Sequence, residues 1–370
     1  MLITSINPKN LLSFGEDHPA IELASLNILA GPNGSGKSNL FECARLLQCA
    51  AKAPPAPPRD WLWQGQGNHA VARLEAVINY SPGSRNLRYW LEFTANDDRF
   101  QLTDERIENE HPDPGHGKSY FYFAFQNGWP VINVKSIRRQ LKRDDINTEL
   151  SILAQRKDPD SYPEITWLGD TFGSVRIYRN WTFGSDNPLR ALAKPGLPDD
   201  FLAENFENLG TILNRLCETP DIKKKILGHL TAFLPTAQDI TVNFLDGSAQ
   251  VFIQEAGFSI PAAGLSDGTL RFLCLLAILC HPSPPLLICI EEPELGLHPE
   301  MLPILAELLH EASERTQLII TTHSDLLLEE FIATPEKVIT FDKRNGQTFT
   351  NRLDAEGLEN WLDRYTLGPE

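Results

Sequence analysis

Short apolar runs open the chain, Ile3 to Ile6 and then Ile21 to Ala30, and each predicts a strand. Asn39 to Cys49 is helix-compatible and follows a glycine-rich turn. The next run, Ala53-Pro54-Pro55-Ala56-Pro57-Pro58, cannot continue a helix, because proline lacks the backbone N–H and its ring strikes the preceding turn. A stiff extended connector is expected there. Val71 to Tyr80 and Leu87 to Thr94 alternate apolar and polar side chains, the period of half-exposed antiparallel strands. Tyr120 to Phe125 and Val131 to Val134 add two more, so residues 65–135 predict a β-rich lobe. Ser136 to Lys157 is charged and helix-compatible, and residues 199–233 hold two amphipathic helices. From Thr241 onward, apolar strands alternate with helices, the pattern of a mostly parallel sheet. There is no internal repeat and no heptad run of coiled-coil length.

This order predicts an α/β fold: a mostly parallel core sheet with helices, joined to an N-terminal antiparallel β lobe and a helical insertion. The expected boundaries are 1–135 for the β lobe, 136–240 for the mainly helical insertion and 241–370 for the C-terminal lobe, all within one unit spanning 1–370.

Composition narrows the setting. The 42% hydrophobic and 22% charged content is that of an ordinary globular protein. A formal net charge of −16 disfavours non-specific binding to nucleic acid without excluding a local basic groove. The six cysteines include no C-x-x-C pair and sit mostly in apolar runs, which points to buried reduced thiols. The N-terminus lacks the basic region of a signal peptide, and the longest apolar run, Phe272 to Cys280, is too short to span a bilayer. A cytoplasmic protein without a membrane partner is expected.

Candidate chemistry begins at Gly31-Pro32-Asn33-Gly34-Ser35-Gly36-Lys37-Ser38, which fits G-x-x-x-x-G-K-[ST] between an apolar strand and a helix. Glycines let backbone N–H groups turn inward, and the helix N-terminus adds partial positive charge. Lys37 is then expected to reach the β- and γ-phosphates of a nucleoside triphosphate and Ser38 to coordinate Mg²⁺. Asn39 completes the candidate nucleotide-binding set.

Four elements follow one another in the last third. Gly264 to Arg271 contains a Ser/Gly turn, Leu265-Ser266-Asp267-Gly268-Thr269, that opens an apolar helix running to Cys280. Leu286 to Ile290 is a continuous apolar run, hence a buried strand, and it ends in Glu291-Glu292. Carboxylates at such a strand end are costly unless paired or metal-bound, and ligands sit at the carboxyl ends of parallel strands. The turn Pro293 to Pro299 leads into a helix from Glu300 to Ser313, and a second buried strand, Gln317 to Thr322, ends at His323. One strand on from the Glu pair, that histidine is expected to face phosphate.

Jointly these motifs resemble the ATPase heads of the SMC, RecF and OLD-type proteins, within the ABC-type superfamily of P-loop NTPases, and most closely the stand-alone bacterial ATPases of the AAA_21 kind. The resemblance covers the N-terminal 50 residues and roughly 258–332. It implies Lys37 and Ser38 on the phosphates and Mg²⁺, and Glu291 on the metal through water. It further implies Glu292 polarising the attacking water and His323 contacting the γ-phosphate. Ser266, Asp267 and Gly268 would form the signature turn that completes the site of the opposite subunit, so ATP would be sandwiched in an ATP-dependent homodimer. Glu291 stands where many relatives carry Asp. The glutamine that senses Mg²⁺ in relatives is not placed; Gln64, Gln66 and Gln126 are candidates. Lys9, Asn10 and Phe14 lie where relatives often contact the base, although Phe14 also reads as core packing.

The signature lacks the Leu-Ser-Gly-Gly-Gln form of transporters, which makes a transporter ATPase subunit the weaker reading. About 230 residues without heptads separate the loop from the signature, so no long coiled-coil arm is expected. About 40 residues follow Phe331, too few for an appended nuclease domain. Two uses stay open: a nucleotide-driven switch on DNA or on an effector protein encoded nearby, in repair or phage defence, or a weakly hydrolysing scaffold for a partner nuclease. Lys135, Arg138, Arg139, Lys142 and Arg143 would form one cationic stripe if Ser136 to Lys157 were a helix, the best place for a DNA groove.

Overall fold

The computed structural model describes residues 2–52, 61–63, 71–96, 99–126, 129–134, 137–140, 146–179, 181, 183–184, 188–190, 196–245 and 248–367. The chain opens with β1 (Ile3–Lys9), β2 (Ile21–Glu22) and β3 (Leu26–Ala30), and a glycine-rich loop leads into α1 (Lys37–Ala50). Then come β4 (Ala72–Ile78), β5 (Leu87–Asn96), β6 (Arg99–Asn109), β7 (Phe121–Gln126), β8 (Trp129–Val134) and β9 (Ile137–Gln140). Helices α2 (Ile152–Gln155) and α3 (Pro163–Ser174) lead to β10 (Arg176–Tyr178). Helices α4 (Leu209–Cys217) and α5 (Pro220–Phe233) precede β11 (Ala237–Leu245), β12 (Ser248–Glu255) and β13 (Phe258–Pro261). The last third runs α6 (Asp267–Leu279), β14 (Leu287–Glu291), α7 (Leu302–Ser313), β15 (Gln317–Thr321) and α8 (Asp325–Glu329). It closes with β16 (Val338–Arg344), β17 (Gln347–Asn351) and α9 (Ala355–Leu367).

Three sheets result. The central one has the order β10-β14-β15-β3-β16-β17, parallel except for the β16–β17 hairpin. Its middle strands β3, β14 and β15 are buried on both faces, which is why they read as mostly apolar runs. Ile288, Ile290, Leu318 and Ile320 enter the core shared with α4 to α7, while Leu287, Cys289 and Ile319 enter the core shared with α1, α3 and the antiparallel lobe. That lobe is an eight-stranded sheet, β2-β1-β4-β5-β6-β7-β8-β9. Helix α6 is buried on every side from Thr269 to Leu279, so apart from Thr269 and Arg271 its sequence there is apolar all round.

Three elements differ from expectation. The stretch Ser136 to Lys157 is not one helix: Ile137–Gln140 forms β9, pairing antiparallel with β8. The open edge of β8 offers backbone partners to any chain that follows it, and pairing outweighs a modest helix preference. A strand repeats every two residues, so the helical spacing of the five cations does not apply to Arg138 and Arg139. Lys135, Lys142 and Arg143 lie outside the described residues. Second, Ala237–Pro261 is a three-stranded antiparallel sheet, and parallel alternation begins only at α6. Third, β6 carries Asp104, Glu105, Arg106 and Glu108, and its buried Glu105 masks the alternating pattern that would have announced it.

Candidate nucleotide site

The loop between β3 and α1 is shaped by backbone conformations that side chains resist. Gly34 has φ +77° and Gly36 φ +109°, in the left-handed region. A Cβ at Gly36 would collide with the Thr348 hydroxyl and lie 2.9 Å from Ser13 Oγ. Gly36 is the N-cap of α1 and supplies no side chain to the first turn, so the helix N-terminus keeps its donors for an anion. Lys37 arches back over the loop, its Nζ donating to Gly31 O at 2.5 Å and Pro32 O at 3.1 Å. Only 5% exposed, its ammonium is pushed down to about 8 by burial, against the opposing pull of Glu292, Glu291 and Glu294.

The carboxyl ends of β14 and β15 face this loop. Glu291 is the last residue of β14 and pairs in register with Thr321. Ser38 Oγ donates to Glu291 Oε1 at 2.9 Å. Glu292 follows at φ +46°, a conformation rare outside glycine and held by its neighbours. Its N–H donates to Thr321 O at 3.0 Å, and its carbonyl accepts from Arg271 Nη1 at 3.0 Å. His323 Nε2 lies 3.4 Å from Glu292 Oε1. Burial, then the Lys37 charge, lowers the His323 pKa, so the imidazole is neutral at pH 7.

The turn Leu265 to Thr269 sits at the head of α6. Ser266 is its N-cap, accepting from Thr269 N at 3.1 Å. Asp267 pairs with Arg190, whose Nη1 also holds the Leu265 carbonyl at 2.8 Å. Gly268 allows the Gly296 turn to come close: a Cβ there would lie 2.7 Å from Gly296 O.

A sequence profile of the AAA_21 family, described as "AAA domain, putative AbiEii toxin, Type IV TA system", matches residues 26–329. The chain belongs to this family. The fold of this AAA_21 protein is that of an SMC head. It aligns with an Smc head bound to the C-winged helix domain of ScpA at TM-score 0.52 and 16% identity, over 96% of this chain and 99% of that one. It also aligns with an Smc head carrying an extended coiled coil, bound to the C-terminal domain of ScpA from Pyrococcus furiosus. There the TM-score is 0.53 at 15% identity, over 98% of this chain and 99% of that one. No curated protein matches the chain in sequence.

Nucleotide and a divalent cation are what an ATPase of this family implies, and the donors of the AAA_21 chain fit both. Ser38 and Glu291 offer hard oxygen ligands, the type Mg²⁺ prefers. The two oxygens stand 2.9 Å apart at the mouth of the loop, so one cation could be held by Ser38 and by Glu291, the latter through water. Among the described residues the buried Ser35 Oγ has no partner, and the buried Lys37 ammonium is met by two neutral carbonyls and no ion pair, so both have bonding capacity left for an anion.

Of the other candidates, Asn39 donates through Nδ2 to Ser13 Oγ at 2.5 Å. Phe14 is fully buried in the core, edge-on to His18. Lys9 ends β1, and the Asn10 carbonyl accepts from Trp63 N at 3.0 Å. Gln64, Gln66 and the Gln126 side chain lie outside the described residues.

Four residues with no assigned role converge on the site. Arg179 donates to Ser38 O at 2.8 Å, pairs with Glu42 and brings Nε within 3.9 Å of Glu291 Oε2. Trp181 Nε1 donates to Glu291 O at 2.8 Å, and the Arg271 guanidinium lies 4.9 Å above the Trp181 ring. Glu294 is buried, its Oε1 accepting from Thr322 Oγ1 at 2.5 Å and His323 N at 3.1 Å, while Oε2 has no partner among the described residues. Burial raises its pKa. Glu294 and Arg271 stand inside the motif runs, but Arg179 and Trp181 have no sequence signal, because only the β10–β14 pairing brings them in.

Proposed function

We propose that this AAA_21 protein is an Mg²⁺-dependent ATPase whose ATP-loaded heads pair, each lending its Ser266 turn to the Lys37 pocket of the other. The observation that carries the reading is the joint placement of Ser38 beside Glu291 at 2.9 Å and Glu292 beside His323 at 3.4 Å, under one phosphate-type loop. Lys37 and the α1 N-terminus neutralise triphosphate charge, which is most of what phosphoryl transfer asks of a protein. Mg²⁺, held by Ser38 and Glu291, would neutralise the phosphate oxygens further. Glu292 is the base that orients water, and neutral His323 donates from Nε2 to the carboxylate or to a phosphate oxygen.

Pairing of heads is supported by two exposed leucines beside the site residues, Leu295 at 49% in the turn after Glu292 and Leu326 at 48% in α8 just after His323. The switch so formed would act on DNA or on an effector protein, and the family's toxin-system description favours an effector in defence against phage. The deciding experiment compares wild type with Glu292→Gln for turnover and for mass in solution with ATP. The variant should lose turnover by about 100-fold or more, keep ATP binding and accumulate dimer. Unchanged turnover and mass would favour a weakly hydrolysing scaffold instead. Turnover with and without duplex DNA ends separates the two substrates of the switch.

A further inference from the structure

We propose that Asn39, Ser13 and Thr348 form a one-way hydrogen-bond relay that sets the shape of the phosphate loop, with Thr348 as a positioning residue for nucleotide binding. The inference rests on the reading that this loop binds ATP.

The direction of the relay follows from donor accounting. Thr348 Oγ1 donates to the Ser35 carbonyl at 2.7 Å, which uses its single proton. Ser13 Oγ lies 2.5 Å from Thr348 Oγ1, so Ser13 must be the donor of that bond. Asn39 Nδ2, which can only donate, reaches Ser13 Oγ at 2.5 Å. Protons therefore point from Asn39 to Ser13, to Thr348, to Ser35. A chain aligned in one sense polarises each of its members.

The relay closes a ring around Gly36, the residue whose left-handed conformation starts α1. It begins in the first turn of that helix and ends on the carbonyl just before Gly36. Because a trans peptide is planar with C=O and N–H opposed, tying the Ser35 carbonyl to β17 turns the Gly36 N–H to the other side of the loop. N–H groups so directed are what a phosphate loop offers its ligand. The backbone fixes the clamp as well, since Thr348 N donates to Ser13 O at 2.8 Å. Thr348 is 1% exposed and Ser13 is buried, so water does not compete for these bonds. Neither residue falls within 26–329, the part matched by the family. The loop is thus shaped by two segments at opposite ends of the chain.

The test uses the full chain and three variants. Thr348→Val removes the hydroxyl at equal volume, Thr348→Ser keeps it, and Ser13→Ala breaks the relay one step upstream. Binding of a fluorescent ATP analogue should weaken about tenfold in Thr348→Val and about threefold in Ser13→Ala. Thr348→Ser should bind like wild type. KM for ATP should rise in Thr348→Val while kcat stays within about twofold. Amide hydrogen exchange of nucleotide-free protein supplies a readout independent of ATP: Ser35 to Lys37 should exchange faster in Thr348→Val. If Thr348→Val does not fold, Ser13→Ala decides. Wild-type affinity and exchange in that variant, or equal losses in Thr348→Val and Thr348→Ser, overturn the proposal. Should wild type bind no ATP, the functional reading fails and the exchange measurement alone judges the relay.

Discussion

Glu292 and His323 meet at 3.4 Å because their strands run parallel and in register, with Glu291 opposite Thr321. Each chain then turns at the same height, and the side chains just beyond the pairing end up together. The arrangement costs backbone strain at Glu292, and Arg271, Thr321 and Trp181 hold the strand end against it.

His323 makes the fold sensitive to mild acid. Its pKa in the folded protein lies below the ordinary 6.5, so above that value the imidazole is neutral in both states and nothing is lost. As the pH falls below 6.5, the unfolded chain takes up the proton first and stability declines. His323→Gln cannot take up that proton. Urea unfolding at pH 7.5 and 5.5 should show the wild type losing more than the variant; equal losses would rule out a titrating His323.

Lys37 is kept charged at a cost in stability. Its folded pKa of about 8 lies below the ordinary 10.5, so below pH 8 folding is opposed by the full desolvation of the ammonium. Lys37→Met should abolish nucleotide binding and raise the melting temperature of nucleotide-free protein at pH 7 by a few degrees. The gain should shrink as pH rises from about 8 toward 10.5. A variant that melts lower than wild type contradicts this account.

Glu294 ties two strand ends together from within. Glu294→Ala leaves the Thr322 hydroxyl and the His323 N–H unpaired and should cost about 2–3 kcal/mol in chemical denaturation. Glu294→Gln keeps an acceptor for both donors and removes a buried carboxyl whose pKa is raised, so it should be at least as stable as wild type at pH 7. If the two variants are equally damaging, the hydrogen bonds are not what the residue supplies.

Glu105 gives the antiparallel lobe its own pH response. Its carboxyl is fully buried and accepts from Tyr89 OH at 2.8 Å, Ser151 Oγ at 2.5 Å and Ile152 N at 2.9 Å. Burial nevertheless pushes its pKa up to about 7. A raised pKa means full stability below the ordinary 4.5 and progressive loss as pH rises to about 7. In Glu105→Gln the amide can donate to the two hydroxyls, which rotate to accept, while its oxygen keeps Ile152 N. The advantage of that variant over wild type should therefore grow between pH 4.5 and 7 and then level off; a difference constant with pH would refute it.

Much of the site was legible as sequence because it is built from short segments with local rules. A phosphate loop needs its glycines and lysine at fixed offsets, and a strand buried on both faces must be apolar until its polar end. Gly31 to Ser38, Glu291-Glu292 and His323 obey these constraints in their own neighbourhoods. Arg179 and Trp181 do not, since nothing near them foretells that β10 will lie beside β14. Strand β9 escapes local reading for a similar reason: Ile137-Arg138-Arg139-Gln140 carries no helix or strand preference strong enough to outweigh an open sheet edge.

The amino-acid order alone therefore determined the family, the core sheet and the candidate site residues of the loop and strand ends, because each is written in local spacing and burial period. What only the folded chain decided is the support: the capture of Glu294 between two strand ends, the Arg271 brace on Glu292, and the clasp of Ser13 and Thr348 on Gly36. Those depend on distances between segments up to the whole chain apart, and such distances are fixed by packing and strand register, which no local pattern encodes.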